Sequence, residues 1–217
     1  VIDISTTNDI NDQNQLYSMA KGATDLLEVE EPTVVADTGY YNGTEIKNCI
    51  DNKMKVYIKK ARANNSTKNN DFRKEKFTYD KEQEIYICPA GNSLFFFENT
   101  SKNGIKYRRY KCSDCNSCKY KGACTSSVNG RTIQRWEHED ILDFVRQDTL
   151  DNNEIYKQRR SIVEHPFGTI KRTLGYSFFL RRQMDNVDAE ASSMFIAYNF
   201  KRLLSMFSTL ELIKKFG

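Results

Sequence analysis

The chain has two histidines, one tryptophan and three prolines among its 217 residues. Nowhere does an uninterrupted apolar run approach the roughly 18 residues needed to cross a bilayer, and the amino terminus has no basic patch followed by an apolar stretch. Neither a membrane span nor a signal peptide is thereby supported, and a cytoplasmic setting without a membrane partner is expected. His138 and His165 have no spacing that would build a two-histidine metal site. His165 is expected to pack or to support a neighbour. No internal repeat of fixed period is present, which removes a solenoid. The chain also lacks an initiator methionine: it opens on Val1, Ile2 and Ile4, which read as a strand, so a fragment is expected.

What the sequence does have is charge in blocks. The net charge of +4 is unevenly spread: residues 1–50 hold two basic and nine acidic residues, residues 102–121 seven and one, and residues 154–217 eleven and six. Such segregation concentrates positive field on particular surfaces and suits a polyanionic partner.

Apolar spacing predicts a helix over residues 12–30, with Asn11 or Asp12 as cap and Pro32 at the exit. Thr33, Val34, Val35 and Ala36 form a short β-branched run that reads as a buried strand ending at Asp37. Ends of this kind are where open α/β sheets place ligands. Thr44 is placed to cap a helix over Glu45–Ile50, and Met54, Val56 and Ile58 alternate as a second strand, the start of an α/β layer. Residues 59 to about 81 are basic with few apolar anchors and read as a mobile excursion. Strand-like runs follow at Glu84–Cys88, Leu94–Phe97 and Ile105–Tyr110. Helical spacing returns through Ile141, Leu142 and Val145, over Glu154–Arg172, and from about Asn186, with breaks expected at Ser205 or Ser208.

Tyr156, Arg160 and Glu164 recur every four residues, and Lys171 lies seven beyond, so the four share roughly one side of a helix. A carboxylate flanked by cations on one face suits a place where phosphate meets a divalent metal. An ordinary surface helix laced with ion pairs has the same spacing. Against it stand Ile162, Val163, Phe167 and Ile170, which demand burial of the adjoining face, and Pro166, which removes a backbone donor and should distort the helix. Asp37, by contrast, precedes Thr38-Gly39 and by local chemistry alone is a turn former.

Five of the six cysteines are Cys88, Cys112, Cys115, Cys118 and Cys124. The spacing Cys112-x₂-Cys115-x₂-Cys118-x₅-Cys124 predicts thiolate ligation of Zn²⁺ by four of the five, with a disulfide, buried free thiols or an iron–sulfur cluster as alternatives. Cys49 stands apart as a core thiol. Lys106, Arg108, Arg109, Lys111, Lys119 and Lys121 surround the cluster, interleaved with Tyr107, Tyr110 and Tyr120, and form a candidate nucleic-acid surface. Arg172, Arg181 and Arg182 are further candidates for facing DNA.

Val35-Ala36-Asp37-Thr38-Gly39-Tyr40, the preceding segment Thr7–Gln13, and Arg160-Ser161-Ile162-Val163-Glu164-His165-Pro166-Phe167-Gly168-Thr169-Ile170-Lys171-Arg172 resemble the IS1182-type DDE transposases of the IS4/IS5-like insertion-sequence group, as does the Cys88-Pro89-Ala90-Gly91 turn. The resemblance implies an RNase H-like catalytic core in which Asp37 is the second metal-binding carboxylate and Glu164 the third. It implies Tyr156, Arg160 and Lys171 as the tyrosine, arginine and lysine around that glutamate, although three residues separate Tyr156 from Arg160 where the family pattern has two. It further implies Mg²⁺ (or Mn²⁺), double-stranded DNA at transposon ends and target, and a homo-oligomer during synapsis. The family's first aspartate would lie upstream of Thr7, and Asp3 is a poor substitute, so the chain is expected to be inactive alone.

The expected fold is therefore α/β: an incomplete RNase H-like core over residues 1–58 and 136–217, interrupted at 59–135 by a small basic, cysteine-rich β module and completed by carboxy-terminal helices. The competing reading is a non-catalytic, zinc-ordered nucleic-acid-binding protein or a decayed transposase remnant.

Overall fold

The computed structural model describes residues 1–61 and 70–216, with the side chains of residues 70, 161, 164 and 216 outside the description. The backbone divides into two compact units, residues 1–61 with 142–217 and residues 62–141.

In the first unit a 3₁₀ turn at Asp12–Asn14 leads into helix α1 (Leu16–Leu27). Asn11 caps the turn, its Oδ1 accepting the Gln13 N–H at 3.1 Å. Strand β1 (Thr33–Val35), helix α2 (Gly43–Asp51) and strand β2 (Lys55–Tyr57) then form a β-α-β unit whose two strands pair in parallel, Val34 opposite Val56. The cap of α2 is Asn42, whose Oδ1 takes the Thr44 N–H, and not Thr44, because the helix begins two residues earlier than expected, at Gly43. Met54, Val56, Tyr57 and Ile58 are all buried. The strand is thus covered on both faces, as parallel strands are, and does not alternate in and out.

Helix α4 (Glu139–Asp151) is tied to β2 by Thr149, a fully buried side chain. Its hydroxyl donates to the Val145 carbonyl at 2.7 Å and accepts the Ile58 N–H at 3.2 Å. Helix α5 (Asn153–Gly168) continues through Pro166 and then widens into a π-helical turn at Thr169–Thr173. A proline withholds one intrahelical bond, and the distortion expected near Glu164 is expressed as this turn. Helix α6 (Met184–Met206) packs Met194 and Tyr198 on Ile170 of that turn. Phe207 ends α6 before α7 (Thr209–Phe216), which starts beside the expected break at Ser208.

Two expectations fail in this unit. Val1–Ile4 forms no strand, since none of its backbone joins a ladder. Of the four apolar residues expected to be buried beside Glu164 only Ile170, in the π-helical turn, is; Ile162, Val163 and Phe167 are 66%, 43% and 50% exposed. Phe167 meets only the edge of Phe195, at 5.6 Å between ring centres.

The second unit is an antiparallel meander with strand order β3 (Thr78–Asp80), β4 (Ile85–Ile87), β5 (Ser93–Lys102), β6 (Ile105–Cys112) and β7 (Thr132–Trp136). The β5–β6 hairpin closes on Asn103-Gly104, both at positive φ, which matches the right-handed twist of the flanking strands. The short helix α3 (Lys121–Cys124) lies between β6 and β7. Strands β3 and β7 were not among the runs expected from sequence: β3 has only three residues, and in β7 Arg135 interrupts the apolar pattern. Arg135 is nonetheless buried, donating to Tyr86 Oη and Asp140 while lying 3.8 Å over the Tyr79 ring.

The core of this sheet gathers Phe72, Phe77, Tyr86, Leu94, Tyr110 and Ile133 with Cys112, Cys115 and Cys124. Phe72 and Phe77 are apolar anchors within the stretch that reads from sequence as a mobile excursion; its centre, residues 62–69, lies outside the described residues. Among the described residues no helix is long and apolar enough to cross a membrane.

Candidate functional site

Asp37 follows β1 at the mouth of the β-α-β unit, where the chain turns into a 3₁₀ segment that Asp37 itself caps. Its Oδ1 accepts the Thr38 N–H at 2.6 Å and the Thr38 hydroxyl at 3.2 Å, so the turn-forming chemistry read from the sequence is realised. The same oxygen lies 2.7 Å from Nη1 of Arg159 on α5. Burial acts to raise the Asp37 pKa, but the Thr38 N–H and the Arg159 guanidinium outweigh it, and the carboxyl is held below its ordinary value. The side chain remains 55% exposed.

The residues around this carboxylate are not quite those singled out by spacing. The arginine paired with Asp37 is Arg159, three residues after Tyr156 and so close to one turn beyond it. Its guanidinium also lies 5.2 Å from the Tyr156 ring, and its buried Nε has no hydrogen-bond partner. Tyr156 is buried, with Lys59 Nζ 4.5 Å above its ring and bonded to Asn153 Oδ1 at 2.7 Å. Arg160, Lys171, Arg172, Arg181 and Arg182 are solvent-exposed. Glu164 is helical within α5, and its side chain lies outside the described residues. His165 bonds the Tyr198 hydroxyl at 3.0 Å, a link between α5 and α6 that accords with a packing role. Arg159, Lys59 and Asn153 went unread because each looks like an ordinary surface residue until β1, β2 and α5 meet.

All five clustered cysteines line one small cavity of about 20 Å³ in the second unit. None is in a disulfide. Four of them sit on turns or at a helix end. Cys88 opens the Cys88-Pro89-Ala90-Gly91 turn, closed by Gly91 N–H to the Cys88 carbonyl at 2.9 Å with Gly91 at φ +84°. Cys115 and Cys118 bracket a turn in which the Cys118 N–H donates to the Cys115 carbonyl at 3.3 Å, and Cys124 ends α3. Cys112 alone is in the ladder, opposite Leu94.

Backbone N–H groups point at two of the sulfurs, from Asn92 to Cys88 at 3.3 Å and from Arg131 to Cys115 at 3.4 Å. Gly130 permits the second contact, since a Cβ there would fall 2.9 Å from Cys115 Cβ and the residue has φ +83°. Burial pushes the Cys112 thiol up to about 12, helped by its hydrogen bond with Cys115. Burial also raises Cys124, against the opposing charge of Arg131. Among the described residues no group of three or more His, Cys, Asp or Glu side chains is arranged to hold a metal ion.

The basic residues of this unit divide by partner. Arg108 makes a bidentate pair with Glu84, both bonds at 2.9 Å, and Arg109 pairs with Glu98. Lys111 lies 5.4 Å over the Phe97 ring, Lys119 4.9 Å over the Tyr120 ring, and Lys121 bonds Asn116 Oδ1 at 2.6 Å. Lys106 is exposed. Tyr110, read from sequence as a ring for packing on sugars or bases, is fully buried and belongs to the core.

Comparison with known proteins adds a match to the family described as Transposase DDE domain over residues 87–204. The match covers more than half of the chain, and the chain belongs to that family, with a general role in nucleic-acid transactions. It takes in the cysteine cluster and α5 and begins beyond Asp37. No curated protein and no solved structure matches the chain.

Proposed function

We propose that the chain is the part of an IS1182-type DDE transposase that contributes Asp37 and Glu164 to an RNase H-like, metal-dependent phosphoryl-transfer site acting on transposon-end DNA. The observation that carries the reading is the ion pair from Asp37, at the end of a parallel strand, to Arg159 on α5, the helix that holds Glu164. It joins the strand end to a helix inside the span matched to the transposase family.

Asp37 suits a hard cation in charge and exposure: it is ionised at neutral pH, its side chain is 55% exposed, and Oδ1 is fixed by Thr38 and Arg159. Mg²⁺ or Mn²⁺, when bound, would supply activation of the attacking hydroxyl and charge stabilisation on the leaving oxygen. The chain's own residues position the rest. Arg159 orients the carboxylate, Tyr156 backs the guanidinium, and the exposed Arg160, Lys171 and Arg172 stand ready to meet phosphates. The test is cleavage of a transposon-end duplex in Mg²⁺ by the enzyme carrying this chain: Asp37→Asn and Glu164→Gln should each abolish it, and activity in both variants would overturn the assignment.

A structural Zn²⁺ held by four of Cys88, Cys112, Cys115, Cys118 and Cys124 is part of the same proposal. Soft thiol donors around one cavity fit zinc in kind and number, and rotation of the side chains toward a common centre would close the site. Zinc uptake would displace thiol protons, since thiolates are the ligating form. The homo-oligomer that brings two DNA ends together is likewise proposed.

A further inference from the structure

The second unit carries an aromatic cleft that adjoins the cysteine cluster, with Cys112 and Cys115 lining both. Leu94 of β5 is fully buried, while the next three residues, Phe95, Phe96 and Phe97, are 53%, 45% and 53% exposed. Simple alternation would return every second side chain to the core. A bulge intervenes: Phe96 pairs with Tyr110 and Glu98 with Arg109, which leaves Phe97 without a partner in the ladder. Alternation from buried Leu94 already turns Phe95 and Phe97 outward, at the edge of a cleft of about 460 Å³, and Phe96 is the one that stays exposed against that pattern.

Opposite the rings the cleft is polar and cationic. Lys111 lies over Phe97, and Asn116, Asn129 and the 82% exposed Val128 complete the far wall. Lys121, outside the lining itself, bonds Asn116 Oδ1 and the Val128 carbonyl of two lining residues. No carboxylate lines the cleft. The nearest acid in sequence is Asp114, whose Oδ2 accepts the Ser113 hydroxyl.

We propose that this cleft binds an unpaired stretch of DNA, with a base stacked on Phe97 or Phe95 and the neighbouring phosphate met by Lys111 and Lys121. Rings stack on any base, ammonium groups track the backbone, and amide side chains offer donors and acceptors to a base edge. Paired DNA would not enter in this way, because its bases are already stacked on one another. The occupant is an unpaired strand, and not a protein surface, because exposed rings are joined here to a lining lysine, Lys111, with no lining carboxylate and with Lys121 bonded to the lining Asn116. The proposal rests on DNA being the partner and needs neither Asp37 nor Glu164.

The experiment measures binding of the whole chain to a fluorescein-labelled single-stranded oligonucleotide and to its duplex, with a second strand carrying 2-aminopurine to report stacking. We expect tighter binding of the single strand, together with quenching of 2-aminopurine. Phe95→Ala with Phe97→Ala should weaken single-strand binding at least about fivefold and abolish the quench, at an unchanged melting temperature. Phe97→Trp should retain both, and Lys111→Gln should lose affinity most at low salt. Equal affinity for single strand and duplex, or unaltered affinity and quench in the double variant, would overturn the proposal. So would a double variant that loses self-association in sedimentation while binding DNA as before, which would make the cleft an interface between copies. Loss of cleavage in Asp37→Asn with the quench intact would leave the cleft standing independently of the catalytic reading.

Discussion

Arg159 Nη1 stands 2.7 Å from Asp37 Oδ1, an ion pair that links the end of a parallel strand to the middle of the helix following α4. Replacing Arg159 with Met should raise the Asp37 pKa, because burial then acts with only the Thr38 contacts opposing it. The linkage has a definite sign. A carboxylate whose folded pKa is depressed contributes stability that is complete above its unfolded value of about 3.9 and is lost as pH falls through the folded value. Arg159→Met should therefore diminish the fall in stability across that acidic window, and a ¹³C-detected NMR titration of Asp37 together with acid unfolding would check it.

Loss of either proposed metal-binding carboxylate should be severe. Substitutions of outer-shell partners commonly cost about 10–100-fold in activity, so Asp37→Asn and Glu164→Gln should each exceed about a hundredfold in a Mg²⁺-dependent cleavage assay. Arg160→Ala, on an exposed side chain, should instead weaken DNA binding in a salt-dependent way. A substantial loss of cleavage at every salt concentration would give Arg160 a role closer to the reacting groups.

Thr149→Val keeps the shape of a buried side chain and leaves the Ile58 N–H without its acceptor. A buried donor left unpaired costs about 1–3 kcal/mol. Urea unfolding should register that loss, and amide hydrogen exchange should show it first at Ile58.

Metal analysis after gentle purification should find about one zinc per chain if four thiols close on it. Chelation should then lower the melting temperature of the second unit, and Cys115→Ser should do the same. Gly130→Ala is a sharper probe, since the added methyl meets Cys115 Cβ and occupies a left-handed backbone. It should reduce zinc content without removing a sulfur.

Sequence alone determined much of the local structure. β-branched and apolar runs specified β1 and β2, helical spacing specified α1, α4, α5 and α6, and the cysteine spacing announced a thiol cluster of four among five candidates, all five of which line one cavity. Such features are legible because they arise from periods of two or 3.6 residues and from tight turns, all within a few residues of one another. The tertiary structure decided which side chains meet across long separations. Asp37 and Arg159 are far apart in the chain, and adjacent arginines at 159 and 160 are distinguished only by the rotation of α5 against β1. Tyr110 and Phe97 differ in the same way: both are aromatic residues in strands, but one side chain is fully buried and the other is 53% exposed. A pattern in sequence says that a surface will be apolar or charged, whereas register and packing decide what it faces.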